Sequence, residues 1–211
     1  HGIAPDAPLL LVLPGSRPGE VQRLVPPFGH AVRRVADAVP GLRVVVPAAP
    51  QVADMVRAAV RGWPGGPVVL DPRAGDAALA KRAAFRAADA ALAASGTVSL
   101  ELAAAGTPMV IGYDMNWLSR RIIGAMLKVD TVTLVNLVSG TRAVPEFLGD
   151  ALRPEPVAAA VAGLLSGGPG RTAQEAAFAV TMERLGKGAE PPGLRAARAV
   201  LEVAGQGAGT D

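Results

Sequence analysis

The chain has 211 residues, enough for one sizeable core, with no cysteine and only two histidines, so disulfide, thiolate and zinc chemistry are excluded from the expected repertoire. Its 21 basic and 18 acidic residues leave a net charge of only +3, and the basic residues are mostly arginine in an alanine-, glycine- and proline-rich background. Two tryptophans, one tyrosine and four phenylalanines offer few stacking platforms, which argues against nucleic acid as a partner.

Short apolar runs without alternation occupy Leu9–Leu13, Arg43–Val46, Val68–Leu70, Ala90–Ala93 and Met109–Gly112, the pattern of strands buried on both faces of a parallel sheet. None approaches the roughly 20 apolar residues that span a bilayer. Phe28, Val32, Val35 and Val39 recur at helical spacing, with Pro26 and Pro27 placed as the first turn of that helix. Further helices are expected at Gln51–Arg61, Asp76–Ala87 and Val98–Ala105, giving a doubly wound α/β sheet with right-handed crossovers. Beyond it, Asn116–Leu127 reads as an amphipathic helix, Thr131–Leu134 as a short strand, and Arg142–Leu148, Glu155–Leu165, Arg171–Leu185 and Leu194–Val203 as helices. The expected division is a sheet domain over 1–166, C-terminal helices over 167–204 that pack on or exchange with a neighbouring domain, and a disordered tail over 205–211.

Open α/β sheets bind ligands beyond the carboxyl ends of their strands, where the winding reverses. The loops to examine are therefore Pro14–Arg17, Asp71–Gly75, Ser95–Thr97 and Tyr113–Asn116. In the first, Gly15 and Ser16 let backbone amides approach an anion, and Arg17 can grip a phosphate through parallel donors. It is neither a Walker A loop nor a G-x-G-x-x-G turn, and it reads equally as a plain strand-to-helix turn with a solvated arginine.

Ser95-Gly96-Thr97 at a helix N-terminus offers amides and a favourable dipole to a diphosphate. Glu101 lies four residues after Thr97 on the same helix face, where its carboxylate can accept from vicinal ribose hydroxyls. The alternative is a Thr97 cap followed by an exposed acid. His30, on the first helix, reads as a surface residue away from this crevice.

The ordered segments Leu13–Arg17 with Glu20, Val45–Pro47, Ala94–Glu101, Pro108–Tyr113, Asn136–Gly140 and Val144–Leu148 together resemble the lipid-A-disaccharide synthase family. The resemblance covers nearly the whole chain, to about residue 205. It implies a Rossmann-like, doubly wound parallel sheet with extra C-terminal helices, the C-terminal nucleotide-binding domain of a GT-B glycosyltransferase. The implied reaction is inverting transfer of 2,3-diacylglucosamine from UDP-2,3-diacylglucosamine to 2,3-diacylglucosamine 1-phosphate, in lipid A biosynthesis.

In that architecture the general base belongs to an N-terminal acceptor-binding domain outside this chain, so the chain is expected to bind UDP or the donor without turnover. The resemblance implies Gly15, Ser16 and Arg17 as pyrophosphate contacts, with Arg17 stabilising the leaving group. Ser95, Gly96 and Thr97 become phosphate donors, and Glu101 the ribose acceptor. The uracil is expected near Asp71 and Arg73, with Tyr113, Asn136 and Glu146 as candidates to face the donor sugar. Asn136 and Glu146 could equally cap local backbone, and Tyr113 could simply anchor its strand.

No Asp-x-Asp pair is present, so neither a metal nor another cofactor is expected, UDP-sugar being a substrate. The N-terminus carries no secretory-signal pattern, which points to a cytoplasmic location. Acylated substrates suggest a peripheral place at the inner face of the inner membrane, with Asn116–Lys128 as the contacting surface and a core-facing helix as its alternative. The resemblance also leaves room for a homodimer. Two other readings remain open: another UDP-sugar transferase or an epimerase domain, and a non-catalytic module that uses the crevice for a different anion or a partner protein.

Overall fold

The computed structural model describes residues 1–114, 131–188 and 192–207. Within them the chain runs β1 (Leu9–Leu13), α1 (Pro18–Ala38), β2 (Arg43–Pro47), a 3-10 turn (Pro50–Val52), α2 (Ala53–Val60), β3 (Val68–Leu70), α3 (Ala77–Ala87), β4 (Ala90–Ala94), α4 (Val98–Ala105) and β5 (Met109–Tyr113). It continues through α5 (Leu134–Ser139), β6 (Glu146–Leu148), a second 3-10 turn, α6 (Pro154–Leu165), α7 (Pro169–Arg184) and α8 (Pro192–Gly207). All strands are parallel, in the order β3-β2-β1-β4-β5-β6. Winding reverses between β1 and β4, which opens a crevice at their carboxyl ends.

The strand runs are apolar throughout because each face of the sheet is covered, and the two-residue period of a strand divides the side chains between two cores. Leu10, Val12, Val44, Val46 and Leu92 face α1, α2 and α6, where Phe28, Val32, Val56 and Val161 complete the packing. Leu9, Leu11, Leu13, Ala91, Ala93, Met109 and Ile111 face α3, α4, α5 and α7, represented by Phe85, Leu102, Val135 and Phe178. Helix α7 is fixed to the sheet by a buried side-chain amide. Gln174 Oε1 accepts from Met109 N–H (2.7 Å), and its Nε2 donates to the Met109 carbonyl (2.9 Å). Because β6 pairs with β5 only from Ile111 onward, this amide satisfies the strand edge that β6 does not reach.

Four boundaries differ from the sequence reading. Helix α1 begins at Pro18, with Pro26 and Pro27 inside it, because the Pro18 ring suits a first turn and Glu20 ties the entering chain. Residues Thr131–Thr133 form no strand, and α5 starts at Leu134; a carboxylate from β6 satisfies the amides there instead of a neighbouring strand. The expected helix over Arg142–Leu148 is an extended segment ending in β6, since Pro145 interrupts a helical hydrogen-bond ladder and biases Val144 to extended geometry. Helix α8 runs on through Gly207, past the expected start of a disordered tail. The amphipathic stretch Asn116–Lys128 lies outside the described residues.

Candidate functional site

The crevice at the carboxyl ends of β1, β2, β3 and β4 holds about 580 Å³ and is lined by the loop after each of those strands. Gly15, Ser16 and Arg17 form one wall, Pro47–Pro50 and Pro72 the second, and Ser95, Gly96, Thr97 and Glu101 the third. Thus seven of the residues expected to hold the nucleotide meet in one concavity. Two residues that the sequence reading did not select for it, Glu20 as a site residue and Lys81, line it as well.

The loop after β1 is tied internally. Gly15 has φ +111°, and a Cβ there would lie 2.7 Å from Glu20 Cβ and 2.8 Å from Glu20 Oε2, so glycine is what lets the acid fold back over the loop. Glu20 Oε2 accepts from the Ser16 (3.1 Å) and Arg17 (3.3 Å) amides, while Oε1 accepts from Arg17 Nη1 at 3.3 Å. Gln51, from the turn after β2, donates to the Ser16 carbonyl at 2.7 Å and braces the same loop. The amides expected to meet pyrophosphate therefore face a carboxylate of the protein, and what the loop presents outward is the Arg17 side chain, 80% exposed.

The loop after β4 is arranged differently. Gly96 has φ +146° and open space where a Cβ would stand, a backbone turn that leaves the crevice side clear. Thr97 is the N-cap of α4 and makes no side-chain cap hydrogen bond; the Ser99 and Leu100 amides turn back onto the Gly96 and Thr97 carbonyls, while the Gly96, Thr97 and Val98 amides have no partner among the described residues. Ser95 Oγ donates to the Val132 carbonyl (3.0 Å) and Ser99 Oγ to the Gly96 carbonyl (2.9 Å), so both hydroxyls fix the loop's shape. Glu101, one turn in, pairs through Oε2 with Lys81 Nζ of α3 at 2.6 Å.

Asp71 and Arg73 flank the crevice residue Pro72 but turn toward a surface ion cluster. Asp71 accepts from Arg73 Nε (2.8 Å), Arg73 Nη2 (2.7 Å) and Arg57 Nη2 (2.6 Å), and Arg73 also reaches Asp54 at 2.7 Å. The Arg73 guanidinium holds both carboxyls below their ordinary range, and they in turn raise the Arg73 pKa.

Asn136 and Glu146 also face inward to the fold. Asn136 is fully buried; its Nδ2 donates to the Val144 carbonyl (2.9 Å) and its Oδ1 accepts from Val144 N–H (3.0 Å), closing the α5–β6 connection. The Glu146 carboxylate accepts from the Thr131 hydroxyl, the amides of Val132 (3.3 Å) and Thr133 (2.9 Å), and Asn136 Nδ2 (3.2 Å). Burial pushes this carboxyl up, but the hydrogen bonds from Thr131, Thr133 and the two amides outweigh it and hold the pKa below the usual value. Through Val132 this network also positions Ser95. Tyr113 ends β5, half-buried and outside the crevice lining, and His30 is exposed on α1.

The signal the sequence offered for Lys81 is depth alone: it stands just over one turn into the helix that follows a crevice loop, at the fifth position of α3 where Glu101 holds the fourth of α4. Glu20 was visible in the segment after Leu13–Arg17, but its folding back over Gly15 is a tertiary feature. Among the described residues, no group of three or more His, Cys, Asp or Glu side chains is placed to hold a metal ion, and no helix is long and apolar enough to cross a membrane.

A doubly wound parallel sheet with this strand order and a polar crevice at the reversal is the Rossmann-like class of α/β fold. The fold is shared with glycosyltransferases of GT-B architecture: a calicheamicin glycosyltransferase superposes with a TM-score of 0.57 at 20% identity, over 96% of this chain and 45% of that one. The family model for lipid-A-disaccharide synthetase matches residues 1–190, and the chain belongs to that family. It is 61% identical over 199 residues to the lipid-A-disaccharide synthase of Ruegeria pomeroyi, covering 93% of this chain and 49% of that protein. To the synthase of Paramagnetospirillum magneticum it is 45% identical over 212 residues, covering 98% and 52%. The chain thus spans about half the length of these curated relatives.

Proposed function

We propose that the crevice binds the UDP moiety of a UDP-2,3-diacylglucosamine donor, and that the chain is the donor-binding half of an inverting transferase that passes diacylglucosamine to 2,3-diacylglucosamine 1-phosphate. The observation that carries this reading is the α4 start: uncapped first-turn amides and Glu101 one turn further in, on one wall of a cavity of about 580 Å³. Those groups suit a diphosphate and a vicinal diol at the spacing that a nucleoside diphosphate presents. Membership of the lipid-A-disaccharide synthetase family supports the choice of uridine and of an acylated sugar.

In this reading the diphosphate rests on the Gly96–Val98 amides, and the ribose hydroxyls donate to Glu101. Arg17, exposed on the opposite wall, reaches the leaving phosphate with its free donors while Glu20 keeps one of them. Charge on departing UDP is met by arginine and helix amides without a metal ion. The base that takes the proton from the acceptor hydroxyl stands on the acceptor domain, so the chain alone binds donor without transferring sugar. Acylated substrates place the enzyme at a membrane surface.

Thermal unfolding with added nucleotides tests the reading. UDP should raise the melting temperature, by the equivalent of about 2.7 kcal/mol at one hundred times its Kd, while ATP and NAD leave it unchanged. Equal stabilisation by inorganic phosphate, ATP and UDP, or none by UDP, would contradict it.

A further inference from the structure

Four charged side chains line the crevice, and they form two pairs: Arg17 with Glu20 at 3.3 Å and Lys81 with Glu101 at 2.6 Å. The site is therefore electrically balanced before any ligand charge enters it. A diphosphate beside Glu101 would meet an uncompensated carboxylate unless one of the cations turned to it. Arg17 can serve while keeping its partner, since a guanidinium has five donors and Glu20 uses one of them. Lys81 is placed to do more.

Its ammonium sits on the carboxylate proposed for the ribose, about one helical turn, roughly 5 Å, from the α4 amides proposed for the diphosphate. A four-carbon stem covers that distance by rotamer changes alone. The ammonium also lies 5.1 Å from the centroid of the buried Phe85 ring, one turn further along α3, a contact at the tip of the side chain that leaves the stem free to turn. Stability does not account for the pair, because both side chains are more than a third exposed and such ion pairs contribute little to folding.

We propose that Lys81 is a diphosphate-binding residue whose ammonium exchanges the Glu101 carboxylate for the phosphate oxygens of the nucleotide, releasing that carboxylate to the ribose hydroxyls. The inference rests on the nucleotide reading above and adds to it a residue that couples the two ends of the ligand. Phosphate and ribose contacts are then made together, so a ligand lacking phosphate must compete with Lys81 for Glu101, whereas a diphosphate draws Lys81 away.

The test is binding of UDP, by calorimetry, and of uridine, by ligand-observed NMR, to the 211-residue chain and to its Lys81→Met and Lys81→Arg variants. Lys81→Met should lower UDP affinity about tenfold, the loss of one charge-assisted hydrogen bond, while uridine binds unchanged or up to about twofold more tightly. Lys81→Arg should recover most of the UDP affinity. An unchanged melting temperature without nucleotide identifies a folded variant, and Lys81→Gln replaces Lys81→Met if that variant does not fold. Equal losses for UDP and uridine would overturn the inference, since Lys81 would then only hold Glu101 in place; so would undiminished UDP affinity in Lys81→Met. If the unmodified chain binds uridine and UDP not at all, the nucleotide reading itself fails, and the inference with it.

Discussion

Two strand-to-helix loops face each other across the crevice, and both carry the small residues that let an anion approach backbone amides. After β1, the Ser16 and Arg17 amides are taken by Glu20, which folds back over Gly15. After β4, Gly96 turns the chain without any acid folding over it, and α4 starts uncapped, with its carboxylate a full turn further along. A glycine next to a serine therefore does not by itself define a phosphate loop. What decides is whether the first turn of the following helix brings its own carboxylate back onto the loop, as N3 acids do in capping boxes. Position three in α1 does so; position four in α4 points Glu101 along the crevice wall, toward Lys81.

The largest effect that sharpens this contrast is expected at Glu101. Replacing it with alanine should weaken UDP binding by about 1–3 kcal/mol, measured by calorimetry, with little change in melting temperature, because the side chain is half exposed and its loss removes charge-assisted bonds to the ligand alone. Next comes Glu20. Glu20→Ala should lower stability by about 0.5–2 kcal/mol, as loss of a helix-start tie does, and should not weaken UDP binding. A large UDP loss with unchanged stability would erase the distinction between the loops.

A smaller effect follows from the anchoring of the β4 loop through Val132 to Glu146. Because the folded pKa of Glu146 is held below its unfolded value, its contribution to stability is fully present above about pH 4.3 and is lost as pH falls through the folded value. Melting temperatures followed from neutral pH into this range should therefore fall more steeply for the native chain than for Glu146→Gln. Parallel curves would show that Glu146 does not anchor the loop. Smallest of all, UDP affinity should not change when EDTA is added or magnesium supplied, since arginine, lysine and helix amides meet the phosphate charge. A marked loss with EDTA would contradict the metal-free arrangement.

Strands β1 to β5 and helices α3, α4 and α6 were legible to within a residue or two, since runs such as Leu9–Leu13 are apolar on both faces and each helix follows a polar turn. The three-residue edge strand β6 was not, because its sequence pairs with β5 only through tertiary context and Glu146 serves as a buried anchor rather than a surface residue. The start of α1 was hidden by Pro26 and Pro27, which propensity places at a helix entrance and the packing of Leu24, Phe28 and Val32 carries inside.

That Arg17, Ser95, Gly96, Thr97 and Glu101 line the crevice was legible because the topology rule points at loops directly after strands. Asp71, Arg73, Asn136 and Glu146 carry polar groups in equally suggestive places, yet their hydrogen bonds go to Arg57, Asp54, Val144 and Thr131–Thr133, partners that no local pattern announces. Lys81 escaped for the converse reason: it reaches the crevice across a helix-to-helix gap, and only the packed structure brings it to Glu101.

The central claim is that the open loop, and not the closed one, receives the diphosphate. A crystal structure of this chain soaked with UDP tests it most directly. The account predicts phosphate oxygens on the Gly96–Val98 amides, the ribose hydroxyls on Glu101, and Glu20 still bonded to the Ser16 and Arg17 amides. A diphosphate seated on Ser16 and Arg17 with Glu20 displaced, or Glu101 turned away into solvent, would contradict it.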